Sequence, residues 1–355
     1  MTILLYRPSL DFASGAGQLM QMQLRALRAA GESAEIGCER GALKFWLRSG
    51  TRARRISVRA ARNASHGRFV VDHGLCVPNA RVVFVHNLAT EASAHLSRPD
   101  WAAQAEAERS FFRELRADAP LVANSRLVAR ALCAHFALAP ERVVVQHPGF
   151  RAARFNPARA ANLRAAARRE LGISENVPHV GLITSGDFEK RGLDVFVGAA
   201  ERITAARADT RFLVVGSKSL PAAVRAHALV GTGRLLYRPK SRAPERWFAA
   251  LDLFLYPALF EEFGMVVLEA QAVGLPIVTS RRVGAAECLP PDYEPWLADR
   301  PLMDDLAERV LALLADAATR GRLSAAGLAN APTYDDRAYA RASAETILVQ
   351  KRRLK

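Results

Sequence analysis

The stretch from Tyr256 to Ser280, YPALFEEFGMVVLEAQAVGLPIVTS, gives the clearest indication of the fold of this chain. An apolar strand ends at Pro257, a polar loop follows, and a helix is expected to begin near Gly264. After that helix, LPIVTS at Leu275 forms a second apolar run. Such continuous apolar runs are typical of parallel strands that helices cover on both faces. The segment therefore predicts a strand, helix and strand of a parallel α/β sheet.

Similar apolar runs recur in two sets, separated by helical stretches rich in Ala, Arg and Leu. The first set is TILLY at Thr2, FVV at Phe69, VVFVH at Val82, LVANS at Leu121 and VVVQHPG at Val143. The second set is HVGLITSG at His179, RFLVVGS at Arg211, RLLY at Arg234 and LDLFLYPA at Leu251. This alternation predicts one parallel sheet in each half. A polar helix at Pro157 divides them into an N-terminal domain, 1–156, and a C-terminal domain, 157–334.

The composition agrees with a two-domain globular protein. The chain has 355 residues, 50% of them hydrophobic, and a formal net charge of +15. At about 150 residues per domain, that length allows two cores. No apolar run is long enough to cross a bilayer and no signal peptide is recognised, so a cytoplasmic location is expected. The four cysteines are widely spaced, which predicts neither disulfides nor a zinc site.

The loop and helix at Gly264 predict an anion-binding site. Backbone N–H groups at a helix start bind phosphate, and ligands of open α/β sheets bind at the carboxyl ends of the strands. The amides expected to contact phosphate belong to Phe263, Gly264, Met265 and Val266. Glu261 precedes the helix and Glu269 lies about one turn inside it, so both carboxylates are candidates for binding sugar hydroxyls.

Glu261 and Glu269, with seven residues between them, resemble the E-x7-E signature of retaining GT-B glycosyltransferases, in particular glycosyltransferase family 4. The resemblance implies two doubly wound Rossmann-like domains facing a central cleft, with a final helix, about 335–355, completing the N-terminal domain. It also implies that Glu261 contacts the transferred sugar, Glu269 binds the ribose and the intervening amides hold the diphosphate. Glu262 stands where the family more usually has a small residue, and the spacing favours Glu261 for the sugar contact.

A second loop, SGDFEKRG from Ser185 to Gly192, places Lys190 and Arg191 after a strand. Fixed cations there stabilise the charge that develops on a departing diphosphate. The loop resembles the lysine-glycine loop of family 4, and it is most similar to the version in lipopolysaccharide core glucosyltransferases that act on heptose. Arg191 takes the position directly before the glycine, where lysine is more usual. Two basic residues in a solvated turn are the alternative interpretation.

Weaker signals complete the predicted donor pocket. Gly216 ends the strand RFLVVG, and Arg238 and Pro239 end the next strand. In related enzymes the second of these loops lies against the nucleotide base, so Arg238 and Pro239 are candidates for base contact. An ordinary solvent loop is the alternative for this pair.

The N-terminal domain is predicted to supply the acceptor side. Gly15, Ala16 and Gly17 form a small-residue loop after the first strand, similar to the Gly-Gly loop of family 4. His86 ends the strand VVFVH and resembles the strand-end histidine of related retaining enzymes, so it is a candidate contact for the sugar or the acceptor hydroxyl. His73 is a lesser candidate, and a structural histidine is the alternative for both.

The segment 40–68 is basic and contains no acidic residue. Within it, LKFWLRSGTRARR sets Leu43, Trp46 and Leu47 at helical spacing, an arrangement suited to an anionic membrane surface. The cationic and aromatic residues assigned to this membrane or acceptor patch are Lys44, Trp46, Arg48, Arg52 and Arg55. A solvated basic face is the alternative. Nucleic acid is not expected, because no recognised nucleic-acid-binding motif accompanies the charges.

These observations predict a retaining hexosyltransferase that uses a nucleotide sugar, with a UDP-sugar favoured. The expected acceptor is a hydroxyl of a lipid-linked or lipopolysaccharide-type glycan at the cytoplasmic membrane face, and the expected state is a monomer. No cofactor or metal is expected, since Lys190, Arg191 and the helix amides offset the diphosphate charge. A nucleotide-sugar epimerase or hydrolase on the same fold is the enzymatic alternative, and a nucleic-acid-binding protein is the alternative from another class.

Overall fold

The computed structural model describes residues 1–11, 14–64, 67–96, 98–184, 187–216, 219–241 and 243–354. The chain divides into two compact units. The N-terminal unit comprises Met1–Gly149 and Asp336–Lys355, and the C-terminal unit comprises Phe150–Asp335. Pro157, where the boundary was predicted, is the first residue of a helix that lies wholly in the C-terminal unit, with the side chain of Asn156 accepting from the amide of Arg159.

In the described part of the N-terminal unit, seven parallel strands form one sheet in the order β3-β2-β1-β4-β5-β6-β7. The strands are β1 Ile3–Tyr6, β2 Ala34–Cys38, β3 Ala53–Arg55, β4 Phe69–Asp72, β5 Val82–Val85, β6 Leu121–Ala123 and β7 Val143–Val145. The helices are α1 Gly15–Ala29, α2 Ala42–Ser49, α3 Val58–Ala64, α4 Ala89–Ser93, α5 Pro99–Glu114 and α6 Arg126–Phe136. Strands β1, β4 and β5 are fully buried, as their apolar runs predict.

In the described part of the C-terminal unit, six parallel strands follow the order β10-β9-β8-β11-β12-β13. The strands are β8 His179–Ile183, β9 Arg211–Gly216, β10 Leu235–Pro239, β11 Leu253–Tyr256, β12 Ile277–Ser280 and β13 Leu297–Ala298. The helices are α7 Pro157–Leu171, α8 Leu193–Ala206, α9 Ala222–Arg225, α10 Ala228–Gly231, α11 Glu245–Ala249, α12 Met265–Ala272, α13 Met303–Ala315 and α14 Ala317–Asn330.

The last helix, α15 Asp336–Arg352, belongs to the N-terminal unit. Ala344 and Ile347 are buried in the core beneath β1 and α1, and the amide of Gln23 donates to the hydroxyl of Tyr339 at 2.9 Å. The return of this helix to the first domain agrees with the predicted segment from about 335. Within the described ranges, no helix combines the length and apolar character needed to cross a bilayer.

The order of the C-terminal strands positions the candidate site. Strand β8 lies between β9 and β11, so the direction in which the chain adds strands reverses between β8 and β11. Parallel strands end at the same edge of the sheet, and the loops that leave two such neighbours diverge and open a crevice there. The loop after β8 contains Lys190 and Arg191, and the loop after β11 contains Glu261. The topology therefore brings together two loops that lie about seventy positions apart in the sequence.

Candidate active site

The loops after β8 and β11 are in direct contact. The amide of Leu259 donates to the carbonyl of Lys190 at 3.0 Å. Gly192 has a φ of +68°, and a β-carbon added there would lie 2.0 Å from the carbonyl oxygen of Pro257. Only glycine combines this left-handed conformation with so close an approach of backbone to backbone. Gly192 therefore holds the two loops together.

Two ion pairs join the same loops. The ammonium of Lys190 lies 2.8 and 2.6 Å from the two carboxylate oxygens of Glu262. The Nε of Arg191 lies 2.5 Å from Oε2 of Glu261, which also accepts from the hydroxyl of Tyr256 at 3.0 Å. Neighbouring cations thus face neighbouring carboxylates, and both predicted phosphate ligands have protein partners in this structure.

The two cations differ in their surroundings. Lys190 is 4% exposed and its ammonium lies 5.5 Å from the centre of the Phe260 ring. The side chain of Arg191 is 17% exposed, and among the described residues its Nη1 has no hydrogen-bond partner. Burial disfavours charge on Arg191, but the negative groups around it, Glu261 foremost and then Tyr256, Glu262 and Asp187, together outweigh burial and raise the pKa of the guanidinium above its ordinary value. Arg191 therefore remains a cation with a donor to spare.

The predicted helix start near Gly264 is present in the structure, while anion binding there stays a prediction. Helix α12 begins at Met265, with Gly264 at the N-cap in a left-handed conformation, φ +90°. A β-carbon on Gly264 would lie 3.1 Å from both Glu261 Cγ and Val283 Cγ1. The amides of Met265 and Val266 lie in the first turn, where a helix offers no acceptor of its own. Phe263 is buried, and its carbonyl accepts from Ala285 at 2.7 Å.

Glu269 lies inside α12 and is partly buried. Burial raises the pKa of this carboxyl to about 8; the nearby guanidinium of Arg154 opposes the rise, and the carboxylate of Glu245 adds to it. Glu245 is itself paired with Arg154 at 2.5 Å and with Arg159 at 2.9 Å. At neutral pH the carboxyl of Glu269 is therefore mainly protonated and can donate a hydrogen bond as well as accept one.

Glu269→Gln tests this protonation state through stability. The folded-state pKa is raised above the ordinary value of 4.5, so the folded protein keeps a proton that the unfolded chain releases. The stability of the wild type therefore falls, relative to the variant, as pH rises from about 4.5 to about 8. We expect the melting temperature of the variant, minus that of the wild type, to increase between these limits. A difference that stays constant with pH would contradict the raised pKa.

The weaker donor-site candidates mainly have structural contacts. A β-carbon on Gly216 would lie 2.2 Å from the ring of Phe188, so this glycine makes room for an aromatic side chain. Arg238 donates to the carbonyls of Tyr237 at 2.9 Å and of Glu170 at 3.3 Å, and Pro239 is exposed. Ser217, next to Gly216, lies outside the described residues. Base contact by Arg238 and Pro239 stays a prediction.

Gly15, Ala16 and Gly17 occupy the first turn of α1 rather than a loop, and that part of the prediction is wrong. The hydroxyl of Ser14 accepts from the amide of Gly17 at 3.1 Å and starts the helix early. A β-carbon on Gly17 would lie 2.2 Å from the carbonyl oxygen of Asp11. Close packing of helix against loop therefore explains Gly17, while contact of these residues with a donor stays a prediction.

His86 follows β5 and is paired with His73, which follows β4. Nδ1 of His73 lies 2.9 Å from Nε2 of His86, and the two rings stack with their centroids 5.2 Å apart. Arg7 donates to the carbonyl of His73 at 2.5 Å. Burial, together with the nearby charge of Arg7, lowers the pKa of His86 to about 3. Both imidazoles are therefore neutral, and one donates a hydrogen bond to the other.

Within the basic segment, the stretch from Leu43 to Arg55 forms a helix and then a strand. Helix α2 ends at Ser49 with Gly50 in a left-handed conformation, φ +68°, so Arg52 and Arg55 lie beyond it. Arg55 is in the edge strand β3, and the guanidinium of Arg52 lies 5.6 Å from the centre of the Trp46 ring. The side chains of Lys44 and Arg48 lie outside the described part of the chain.

The chain is similar to known glycosyltransferases in sequence and in fold. Residues 178–316 match the family model for glycosyl transferases, group 1, and this segment contains both loops and α12. WaaG, a glycosyltransferase involved in lipopolysaccharide biosynthesis, matches 97% of this chain over 99% of its own, with a TM-score of 0.78 and 19% identity. HepE from Anabaena, solved in complex with UDP, matches 98% of this chain over 100% of its own, with a TM-score of 0.78 and 16% identity.

The chain has the GT-B fold. The predicted fold class, GT-B with two Rossmann-like domains, is therefore confirmed. This GT-B chain is also similar in sequence to curated proteins. A D-inositol 3-phosphate glycosyltransferase from Pseudarthrobacter chlorophenolicus is 31% identical over 251 residues, 67% of this chain and 58% of that protein.

A GDP-mannose-dependent monoacylated alpha-(1-6)-phosphatidylinositol monomannoside mannosyltransferase from Corynebacterium glutamicum is 30% identical over 190 residues. That match covers 50% of the GT-B chain and 48% of the relative. The chain thus spans about half the length of the curated relatives that it matches.

No sequence pattern identifies the hydroxyl of Tyr256 as part of this site, and none predicts the pairing of Glu262 with Lys190. Tyr256 ends an apolar strand, where an aromatic residue normally indicates core packing, so no sequence signal marks its hydroxyl. Glu262 does give a signal: two adjacent acidic residues in one predicted loop match two adjacent basic residues in the neighbouring loop. Within the described residues, no group of three or more His, Cys, Asp or Glu side chains is placed to hold a metal ion.

Proposed function

We propose that this protein transfers a hexose from a nucleotide sugar, with a UDP-sugar favoured, to a hydroxyl of an acceptor glycan. One observation supports this above all. At the point of the C-terminal sheet where strand order reverses, Arg191 and Glu261 lie beside the first turn of α12, in the segment matched by the group 1 glycosyltransferase model. A cation, helix amides and carboxylates at such a point suit a sugar joined to a diphosphate.

Each part of a nucleotide sugar has a proposed partner. Arg191 and the amides of Met265 and Val266 bind the diphosphate, and Glu261 accepts a hydrogen bond from a hydroxyl of the sugar. Glu269 binds the ribose, and its protonated carboxyl gives it both a donor and an acceptor. The UDP complex of HepE and the GDP-mannose in the name of a relative define the two nucleotides to compare first.

We propose a retaining transfer that needs no protein nucleophile. The bond from the anomeric carbon to the diphosphate oxygen breaks, and the acceptor oxygen bonds to that carbon on the same face. The departing phosphate oxygen takes the proton of the acceptor hydroxyl. Negative charge grows on the diphosphate as it leaves, so Arg191 and the α12 amides stabilise the transition state more than the ground state. These groups supply the charge compensation that we propose in place of a metal ion.

The proposed acceptor is a hydroxyl of a lipid-linked or lipopolysaccharide-type glycan. WaaG is described as acting in lipopolysaccharide biosynthesis, while the names of the curated relatives specify an inositol phosphate and a phosphatidylinositol mannoside. Each relative's name specifies a hydroxyl-bearing molecule that also has a phosphate group. Inositol phosphate therefore serves as the second acceptor class to test.

Turnover with and without acceptor tests the proposal. We expect UDP release from a UDP-hexose only when a glycan or inositol phosphate acceptor is present, with the anomeric configuration retained in the product by NMR. GDP-mannose serves as the alternative donor. UDP-sugar turnover at full rate without any acceptor would instead favour the epimerase or hydrolase alternative.

We also propose that the N-terminal unit binds the cytoplasmic face of an anionic membrane through α2. Leu43, Trp46 and Leu47 share one face of this helix and are 66%, 39% and 71% exposed. Arg52 lies against Trp46, and Arg54 beyond it has a 62% exposed side chain. An exposed apolar helix face beside cations suits the interface of an anionic lipid layer.

Sedimentation with phosphatidylglycerol vesicles tests the membrane proposal. Replacing Trp46 and Leu47 together with serine should weaken binding at least about tenfold, because each buried apolar side chain contributes on the order of 1.5–3 kcal/mol. Leu302→Ser is the matched control, since Leu302 is 61% exposed on the C-terminal unit. Equal vesicle binding by the double variant and the control would refute a role for α2.

A further inference from the structure

The two ion pairs between the loops after β8 and β11 have different environments. We propose that Lys190 and Glu262 form a buried positioning pair and that Arg191, of these two cations, is the one that contacts the diphosphate. The inference rests on the proposed function and deepens it, because it assigns different roles to two cations that the sequence alone does not distinguish. Lys190 and Glu262 are then positioning residues rather than catalytic ones.

Lys190 and Glu262 neutralise each other's charge in a buried ion pair. The ammonium contacts both carboxylate oxygens, at 2.8 and 2.6 Å, and the two residues are 4% and 2% exposed. A diphosphate that took Lys190 as its ligand would have to draw the ammonium away from Glu262. A buried carboxylate would then lose its counter-charge, which is strongly unfavourable. The ion pair between Lys190 and Glu262 is therefore more stable than an arrangement in which Lys190 leaves Glu262 to bind phosphate.

The geometry of Arg191 suits phosphate binding better than that of Lys190. Its guanidinium uses Nε to hold Glu261, while Nη1 has no hydrogen-bond partner among the described residues. A guanidinium presents several donors in one plane, so it can keep a carboxylate on one edge and bind a phosphate oxygen on another. The side chain of Arg191 is also the more exposed of the two, at 17%. The remaining donor makes Arg191 the phosphate contact.

The buried pair determines where Arg191 and Glu261 lie. Lys190 precedes Arg191, and Glu262 follows Glu261, so fixing one pair fixes the backbone of the other. The carbonyl of Lys190 also accepts from Leu259, and Gly192 packs against Pro257. Loss of the pair should therefore disturb the position of Glu261 relative to the sugar more than it disturbs phosphate binding.

Binding of nucleoside diphosphates and of nucleosides separates the two roles. Isothermal titration calorimetry gives the ratio of the affinity for UDP to that for uridine, with GDP and guanosine as a second pair. Arg191→Met should lower this ratio at least about tenfold, because it removes a charge-assisted phosphate contact. Lys190→Met combined with Glu262→Leu replaces the pair with apolar side chains and should change the ratio by less than about threefold.

The same double variant should lower kcat about tenfold, since a small displacement of a sugar-binding group is costly to catalysis. A fall in the UDP-to-uridine ratio as large as that of Arg191→Met would overturn the inference, and an unchanged kcat would overturn the positioning role. Glu262→Gln covers the case in which the double variant does not fold. This variant should also keep the UDP-to-uridine affinity ratio within about threefold of the wild-type value. A tenfold rise in that ratio would show that Lys190 binds phosphate once it is released from Glu262.

Failure of the proposed function gives a different result. If the wild type binds no nucleoside diphosphate more tightly than its nucleoside, there is no diphosphate site, and both the function and this inference are overturned. If the wild type shows the preference and only the double variant loses it, the function stands and the division between Lys190 and Arg191 is wrong.

Discussion

Replacing Arg191 with methionine should lower kcat/KM for the nucleotide sugar by about 10²- to 10³-fold, the range found when one transition-state donor is removed. The guanidinium is positioned by Glu261 at 2.5 Å and has a buried Nη1 with no partner among the described residues. Charge on the departing diphosphate is greatest in the transition state, so the loss should appear in kcat as well as in KM. Initial rates over a range of donor concentrations measure both constants.

Two further variants control this experiment. Arg191→Lys keeps the charge but loses the planar guanidinium, so its kcat/KM should be intermediate between those of the wild type and the methionine variant. Arg322→Met removes a cation whose side chain is 62% exposed in the same domain, and it should leave kcat/KM within about twofold of the wild type. If Arg191→Met retained wild-type kcat/KM while its melting temperature fell, Arg191 would be a structural residue only.

Gly192→Ala should remove activity and destabilise the C-terminal unit by several kcal/mol. A left-handed backbone costs an alanine about 1–2 kcal/mol. The β-carbon would also lie 2.0 Å from the carbonyl oxygen of Pro257, so the two loops must separate. Separation of the loops would break the ion pair between Arg191 and Glu261. Urea unfolding and donor turnover measure the two effects.

Gly172→Ala isolates the effect of the close contact. Gly172 has a φ of +70°, nearly the same as the +68° of Gly192, but a β-carbon there meets nothing within 4 Å. This control should therefore show only the backbone cost, about 1–2 kcal/mol, and keep its activity. Equal destabilisation by the two substitutions would mean that the contact with Pro257 is unimportant.

The sequence predicted the fold best where strands are long, apolar and buried. Strands β8, β11 and β12 lie where HVGLITSG, LDLFLYPA and LPIVTS placed them. Strands β2, β3 and β13 were not predicted, for physical reasons. ARR contains one apolar residue and β13 has only two residues, so neither has the hydrophobic pattern of a strand. AEIGC does alternate apolar Ala34, Ile36 and Cys38 with Glu35 and Gly37, but Gly37 and the small Ala34 weaken that signal. Pairing with a neighbouring parallel strand makes them strands.

The candidate site was predicted in its parts but not in its pairings. The spacing of Glu261, Gly264 and Glu269 defined the start of α12, because one loop and one helix turn are local features. The contacts of Lys190 with Glu262 and of Arg191 with Glu261 join loops that lie 72 and 70 positions apart in the sequence, and only the sheet order brings them together. Burial of Lys190 and the raised pKa of Glu269 depend on packing that no spacing reveals.

Thermal shift with nucleotide sugars, on the wild type and on Glu269→Ala, shows whether a nucleotide sugar binds at the start of α12. A ligand at about 100 times its Kd stabilises the folded state by about 2.7 kcal/mol, which corresponds to a rise of several degrees in Tm. We expect that rise for the wild type with a UDP-hexose or GDP-mannose, and its loss in Glu269→Ala. An equal rise in both proteins, or no rise with any nucleotide sugar, would contradict a donor site at the start of α12.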